Sequence, residues 1–111
     1  MAVKCLNDQE LEARIGHSTG YMVVAFLDWA SEPCKNFRVE FEALAELVTG
    51  ADFFWIEALE NESVAEYYEV LAVPTTLLFR EGTKIGCWEG PYSRESLKDR
   101  LVKAIASGKS G

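Results

Sequence analysis

Apolar runs alternate with stripes at helical spacing along this chain. Tyr21 to Leu27 is unbroken and apolar, about the length of a buried strand. A short polar break follows, Asp28-Trp29-Ala30-Ser31-Glu32, and then the period changes. Cys34, Phe37, Phe41, Leu44 and Val48 fall at i, i+3, i+7, i+10 and i+14, which is one face of a helix. Pro33 suits the first helical turn, because its missing N–H has no intrahelical partner there. Ser31 is placed to cap that helix, its Oγ accepting from the Cys34 N–H. The helix is expected to close at Thr49-Gly50. A strand running straight into a helix N-terminus holds reactive or anion-binding groups well, so the chemistry is sought at residues 31–34.

The flanking segments complete a β-α-β-α-β-α-β-β-α order. Val3 to Leu6 is a short strand, and Asn7 and Glu10 have the spacing of a capping box ahead of a helix carrying Leu11 and Ile15 inward. Phe53 to Ile56 is a second continuous apolar run, which implies a sheet covered on both faces. Ser63 and Glu66 again have capping-box spacing, with Val64, Tyr68 and Leu71 as the inner stripe of a short helix. Pro74 precedes a strand at Thr76 to Phe79, and Glu81-Gly82 turns the chain into an alternating strand, Thr83 to Glu89. There Ile85 and Cys87 share one face and Trp88 takes the other. Ser93 caps a last helix with Leu97, Leu101, Ala104 and Ile105 inward. The pattern gives one domain, residues 1–106, and a flexible tail at 107–111.

Composition narrows the classes of function. A chain of 111 residues with 49% hydrophobic content can bury about two-thirds of its unfolded surface in one core. The net charge of −7 and the lack of a basic patch argue against nucleic acid and against an anionic membrane surface. No apolar stretch approaches the ~20 residues that cross a bilayer, and the start of the chain lacks the regions of a signal peptide. Three scattered cysteines and a single histidine fit neither a disulfide framework nor a metal-ligand spacing, so no metal and no cofactor are expected. A reducing cytoplasm is the simplest setting.

Pro33-Cys34-Lys35 at the end of a buried strand resembles the Cys-x-Pro-Cys-Lys signature of the thioredoxin family, with Ser31 in the place of its first cysteine. The resemblance runs from about Val3 to Ile105. It takes in Val73-Pro74-Thr75, similar to the family's cis-proline loop, the Phe79-x-x-Gly82 hairpin and Gly90 before the last helix. It implies a thioredoxin fold, an α/β architecture with a central mixed sheet flanked by helices. It also implies thiol–disulfide oxidoreductase chemistry, protein or peptide substrates bound in extended form, and a thioredoxin-reductase-like partner. By resemblance the catalytic positions are Ser31, Pro33 and Cys34, and the substrate groove is lined by Trp29, Ala30, Val73, Pro74 and Gly90.

Three departures bear on activity. In the family the first cysteine attacks a disulfide and the second resolves the mixed disulfide. Serine cannot form a disulfide, so no dithiol closes between 31 and 34. The family's buried aspartate before the strand phenylalanine is replaced by Ala25, and its partnering lysine by Trp55. The tryptophan that precedes the first cysteine is replaced by Ala30, with Trp29 and Asp28 shifted upstream. Cys34 reads equally as a small buried core residue and as a single reactive thiol near a helix N-terminus. Cys5 and Cys87, both on strands, read as buried structural thiols. A serine nucleophile needs a base, and the only histidine, His17, lies in the loop before the central strand. Three functional readings remain: an oxidoreductase working through Cys34 alone, a non-catalytic peptide- or protein-binding module using the cis-proline groove, and an engineered Cys-to-Ser form of an ordinary disulfide reductase.

Overall fold

The computed structural model describes residues 3–108. The elements are β1 (Val3–Leu6), α1 (Asp8–His17), β2 (Tyr21–Leu27), α2 (Glu32–Leu47), β3 (Ala51–Glu57), α3 (Glu62–Tyr67), β4 (Thr75–Arg80), β5 (Thr83–Glu89) and α4 (Arg94–Gly108). The order read from the apolar pattern is therefore the order observed. The five strands form one sheet, β1-β3-β2-β4-β5, parallel from β1 through β3 to β2 and antiparallel from β2 through β4 to β5. This is the α/β thioredoxin fold, with helices on both sides of a mixed sheet.

The central position of β2 explains its unbroken apolar run. Met22 to Leu27 are all buried, because helices cover both faces and neighbouring strands cover both edges. Alternate side chains feed two cores. Val24, Phe26, Phe54, Ile56, Leu77 and Phe79 pack under α1 and α3. Val23, Ala25, Leu27, Phe53, Trp55 and Leu78 pack under α2 and α4 with Phe37, Phe41, Leu44, Leu97 and Leu101. The β4–β5 turn places Glu81 at φ 50° and Gly82 at φ 84°, two successive positive values that suit the twist of a tight hairpin. Glycine is also required sterically at 82, since a Cβ there would lie 2.8 Å from the Ile15 carbonyl oxygen.

Several expectations are corrected. The second capping box does not form: α3 begins at Glu62, so Ser63 lies inside the helix and Asn61 occupies the cap position without a side-chain cap bond. The Asn61 side chain is committed elsewhere, with Oδ1 accepting from the Asp8 N–H at 2.9 Å and Nδ2 donating to the Glu57 carbonyl at 2.8 Å. Leu71 is 87% exposed, not an inner residue, because α3 stops at Tyr67 and Glu69 turns the chain away at φ 59°. Val64 and Tyr68 pack on the core as expected, and Ala65 takes the remaining inner place. Cys5 and Cys87 are exposed. Both sit on edge strands, and the core under α1 and α3 takes residues of β4 but none of β5, which leaves the Cys87 side uncovered. Finally, α4 continues through Gly108, two residues past the expected boundary, and positions 109–111 of the expected tail lie outside the described residues.

Candidate functional site

Register places three segments at one end of the sheet. Phe26, next to the end of β2, pairs with Thr75 at the start of β4, and Thr75 pairs with Glu89 at the end of β5. The junction Asp28–Cys34, the loop ending in Val73-Pro74, and Gly90 therefore converge. Trp29 and Val73 both pack on the core that contains Cys34.

At the junction, Ser31 is the N-cap of α2. Its Oγ accepts from the Cys34 N–H at 3.4 Å and its carbonyl accepts from the Lys35 N–H at 2.9 Å. Asp28 Oδ1 accepts from the Ala30 N–H at 3.0 Å, and the Asp28 carbonyl accepts from the Ser31 N–H at 3.0 Å, closing the turn. Ala30, Glu32 and Pro33 are exposed, while Cys34 has 0% of its surface accessible. The Asp28 N–H donates to Cys34 Sγ at 3.3 Å. The sulfur is therefore an interior acceptor that helps to hold the loop. The Ser31 hydroxyl has no imidazole beside it: His17 lines a cleft of about 500 Å³ with Tyr21 and Ala51, at the opposite end of β2 and β3.

Glu57 is the residue that the sequence pattern did not disclose. It is the last residue of β3, buried at 8% exposure, and its carboxylate gathers three backbone donors. Oε2 accepts from the Trp29 N–H at 2.9 Å, and Oε1 accepts from the Leu59 and Glu60 N–H groups at 2.7 and 3.3 Å. A buried carboxylate demands such donors, since an unpaired one is expensive to desolvate. The only sequence signal was one acid closing the apolar run Phe53 to Ile56. Above it, the Trp29 ring stands edge-on to Trp55 with centroids 5.9 Å apart, and the Arg38 guanidinium lies 4.6 Å from the first ring and 5.1 Å from the second.

Across from the junction, the Val73–Pro74 peptide is cis. Pro74 is itself buried, so of that pair it is the half-buried Val73 that reaches the surface. The Pro74 carbonyl accepts from the Gly90 N–H at 2.8 Å, tying the two sides of the loop, and Gly90 adopts φ 115°. Among the described residues, the Val73 N–H and C=O make no hydrogen bond. The two substitutions of the relay, Ala25 and Trp55, are register partners, and Thr76 is Ala25's partner on the other side. The Thr76 Oγ1 is buried without a hydrogen-bond partner among the described residues. The other two cysteines are exposed on the edge strands: Cys87 lies on β5 three residues before Gly90, and Cys5 on β1 pairs in register with Trp55 and has its thiol pKa raised, first by desolvation and then by the Glu10 carboxylate. Among the described residues no group of three His, Cys, Asp or Glu side chains can hold a metal ion, and no helix is long and apolar enough to cross a membrane.

Comparison with known proteins gives a consistent set. Residues 2–103 match the family model described as thioredoxin. The chain is 31% identical over 108 residues to a thioredoxin of Staphylococcus aureus, which spans 95% of this chain and 100% of the relative. Among solved structures, a mutant thioredoxin from Halobacterium salinarum NRC-1 superposes with a TM-score of 0.82 at 25% identity, covering 92% of this chain and 89% of that one. A designed protein shares the fold with a TM-score of 0.84 at 21% identity, covering 95% of this chain and 99% of that one.

Proposed function

The chain belongs to the thioredoxin family, whose members are thiol–disulfide oxidoreductases, and on that premise we propose that it is a non-catalytic member. In this reading dithiol exchange at 31/34 is absent, and the groove between Trp29-Ala30 and Val73 holds an extended segment of a partner protein. The observation that carries it is the state of Cys34: its sulfur is fully buried and already accepts a backbone hydrogen bond, while position 31 offers only a capping hydroxyl. A mixed disulfide must begin with an accessible thiolate, and neither residue supplies one.

The binding half of the reading rests on what remains at the surface. Among the described residues Val73 carries an unpaired N–H and C=O, and it packs on the same core as the half-buried Trp29, an arrangement that suits addition of one peptide strand. Pro33 and Gly90 border the same groove. A module without a dithiol gives a thioredoxin-reductase-like partner no disulfide to reduce, so protein or peptide ligands are its only assigned partners. Three free cysteines accord with a reducing cytoplasm.

An insulin-reduction assay on this chain and on Ser31→Cys tests the reading. The unmodified chain is expected to show no turnover; turnover there overturns it. A thiol reagent applied to the folded protein should modify the exposed Cys5 and Cys87 promptly and Cys34 only on unfolding. Prompt modification of Cys34 would instead support a single-thiol enzyme.

A further inference from the structure

The rim of the groove shows chemistry that the family fold does not dictate. Leu71 and Leu59 are 87% and 61% exposed, the most exposed of the leucines among the large exposed apolar side chains. Both adjoin the site. Leu71 lies two residues before Val73, and the Leu59 N–H shares the Glu57 carboxylate with the Trp29 N–H. Around these apolar side chains each converging segment contributes a carboxylate. Glu32 stands between Ser31 and Pro33, Glu60 follows Leu59, Glu69 precedes Leu71 by two, and Glu89 precedes Gly90. All four are exposed, and among the described residues only Glu32 has a cation, Lys35 at 3.6 Å. Of two other nearby cations, Arg38 is stacked on Trp29 and Trp55, and Lys84 donates to the Tyr68 carbonyl at 3.3 Å, beside Glu69. Glu60, Glu69 and Glu89 make no ion pair with a described residue.

We infer that the occupant of this groove is an extended peptide with large apolar residues at alternate positions and lysine or arginine at its flanks. The inference rests on the groove reading above and names its ligand class. Alternate side chains of a strand added at Val73 point to one face, where Leu59, Leu71 and Trp29 supply apolar contact. Its ends then pass the acidic frame. Basic residues there gain from the unneutralised carboxylates, while acidic residues meet like charge.

The test uses dye-labelled heptapeptides, capped at both ends, in fluorescence anisotropy with the intact chain. One has leucines at alternate positions and lysine at each end; a second has glutamate at the ends; a third has serine for leucine. The lysine–leucine peptide should bind about tenfold tighter than the glutamate–leucine peptide at low salt. That ratio should shrink as salt is raised to about 0.5 M, because exposed charges are screened. The serine peptide should lose most of its affinity. Leu59→Ser with Leu71→Ser should weaken the lysine–leucine peptide about fivefold without lowering thermal stability, since both side chains are exposed in the free protein. Equal binding of the lysine and glutamate peptides, or no effect of the double substitution, overturns the inference alone, provided Val73→Gln weakens every peptide alike. Absence of binding by all three peptides overturns both the inference and the groove reading.

Discussion

Two strand-to-helix junctions in this protein meet the same requirement in different ways. At the first, β1 gives way to α1 through Asn7, whose Oδ1 accepts from the Glu10 N–H at 2.8 Å while Glu10 Oε1 accepts from the Asn7 N–H at 2.9 Å. The box is closed within four residues. At the second, β2 gives way to α2 through Ser31, and the local bond to the Cys34 N–H is longer, at 3.4 Å. Asp28 closes this turn locally, and two further groups accept from it: the Glu57 carboxylate, 28 positions away, from the Trp29 N–H, and the interior sulfur of Cys34 from the Asp28 N–H. Each junction also takes a distant acceptor, Asn61 Oδ1 on the Asp8 N–H at the first and the buried Glu57 carboxylate on the Trp29 N–H at the second. Only the second leaves residues such as Ala30 and Pro33 exposed ahead of its helix while a half-buried tryptophan is fixed beside them.

Removing the remote support should have the largest effect. Glu57→Leu strands three backbone donors and is expected to lower stability by about 3 kcal/mol, measured by urea unfolding, and to shift tryptophan emission to the red as Trp29 is released. Glu57→Gln, which keeps one accepting oxygen, should recover part of both. Loss of stability with unchanged emission would break the claim that Glu57 positions the groove.

The two caps are expected to differ next. Asn7→Ala removes half of a reciprocal box and should lower stability by about 1–2 kcal/mol, whereas Ser31→Ala should lower it by only about 0.5 kcal/mol, its bond being long. Equal losses in chemical denaturation would erase the distinction between the junctions.

The smallest effect concerns α2 and α4 on the far side of the same site. Glu40 accepts from the Arg94 backbone N–H at 2.8 Å and from its Nε at 3.2 Å. The Arg94 side-chain hydrogen bonds hold the Glu40 carboxyl below its ordinary pKa of 4.5. A carboxylate with a depressed pKa in the folded state stabilises it above the ordinary value, and that contribution fades as pH falls through the folded value. Thermal midpoints should therefore decline in acid below pH 4.5, and Glu40→Gln should flatten that slope slightly. An unchanged slope would remove this pair from the account.

What could be read from the sequence is what depends on neighbours in the chain. The buried run 21–27, the stripe from Cys34 to Val48, and the caps at Asn7, Ser31 and Ser93 all follow from spacings of a few residues, and all are observed. The start of α3 was missed because Asn61 is bound by groups on α1 and β3, and that commitment has no local signature. Leu71, Cys5 and Cys87 carry apolar character on strands or loops whose cover depends on where the helices end. Glu57 was missed for a related reason: its donors belong to a loop 28 positions away and to the turn immediately after it. Of the candidate site, the register brings Phe26, Thr75 and Glu89 to one end of the sheet, as the order of apolar runs implied; the burial of Pro74 and of the Cys34 sulfur depends on packing that no local spacing announces.

The grip of Glu57 has a mechanical corollary. Its two oxygens join the main chain at Trp29 to the main chain at Leu59 and Glu60, so the loops after β2 and β3 are clamped to one another through a single carboxylate. A displacement of either loop is passed to the other or must break that clamp.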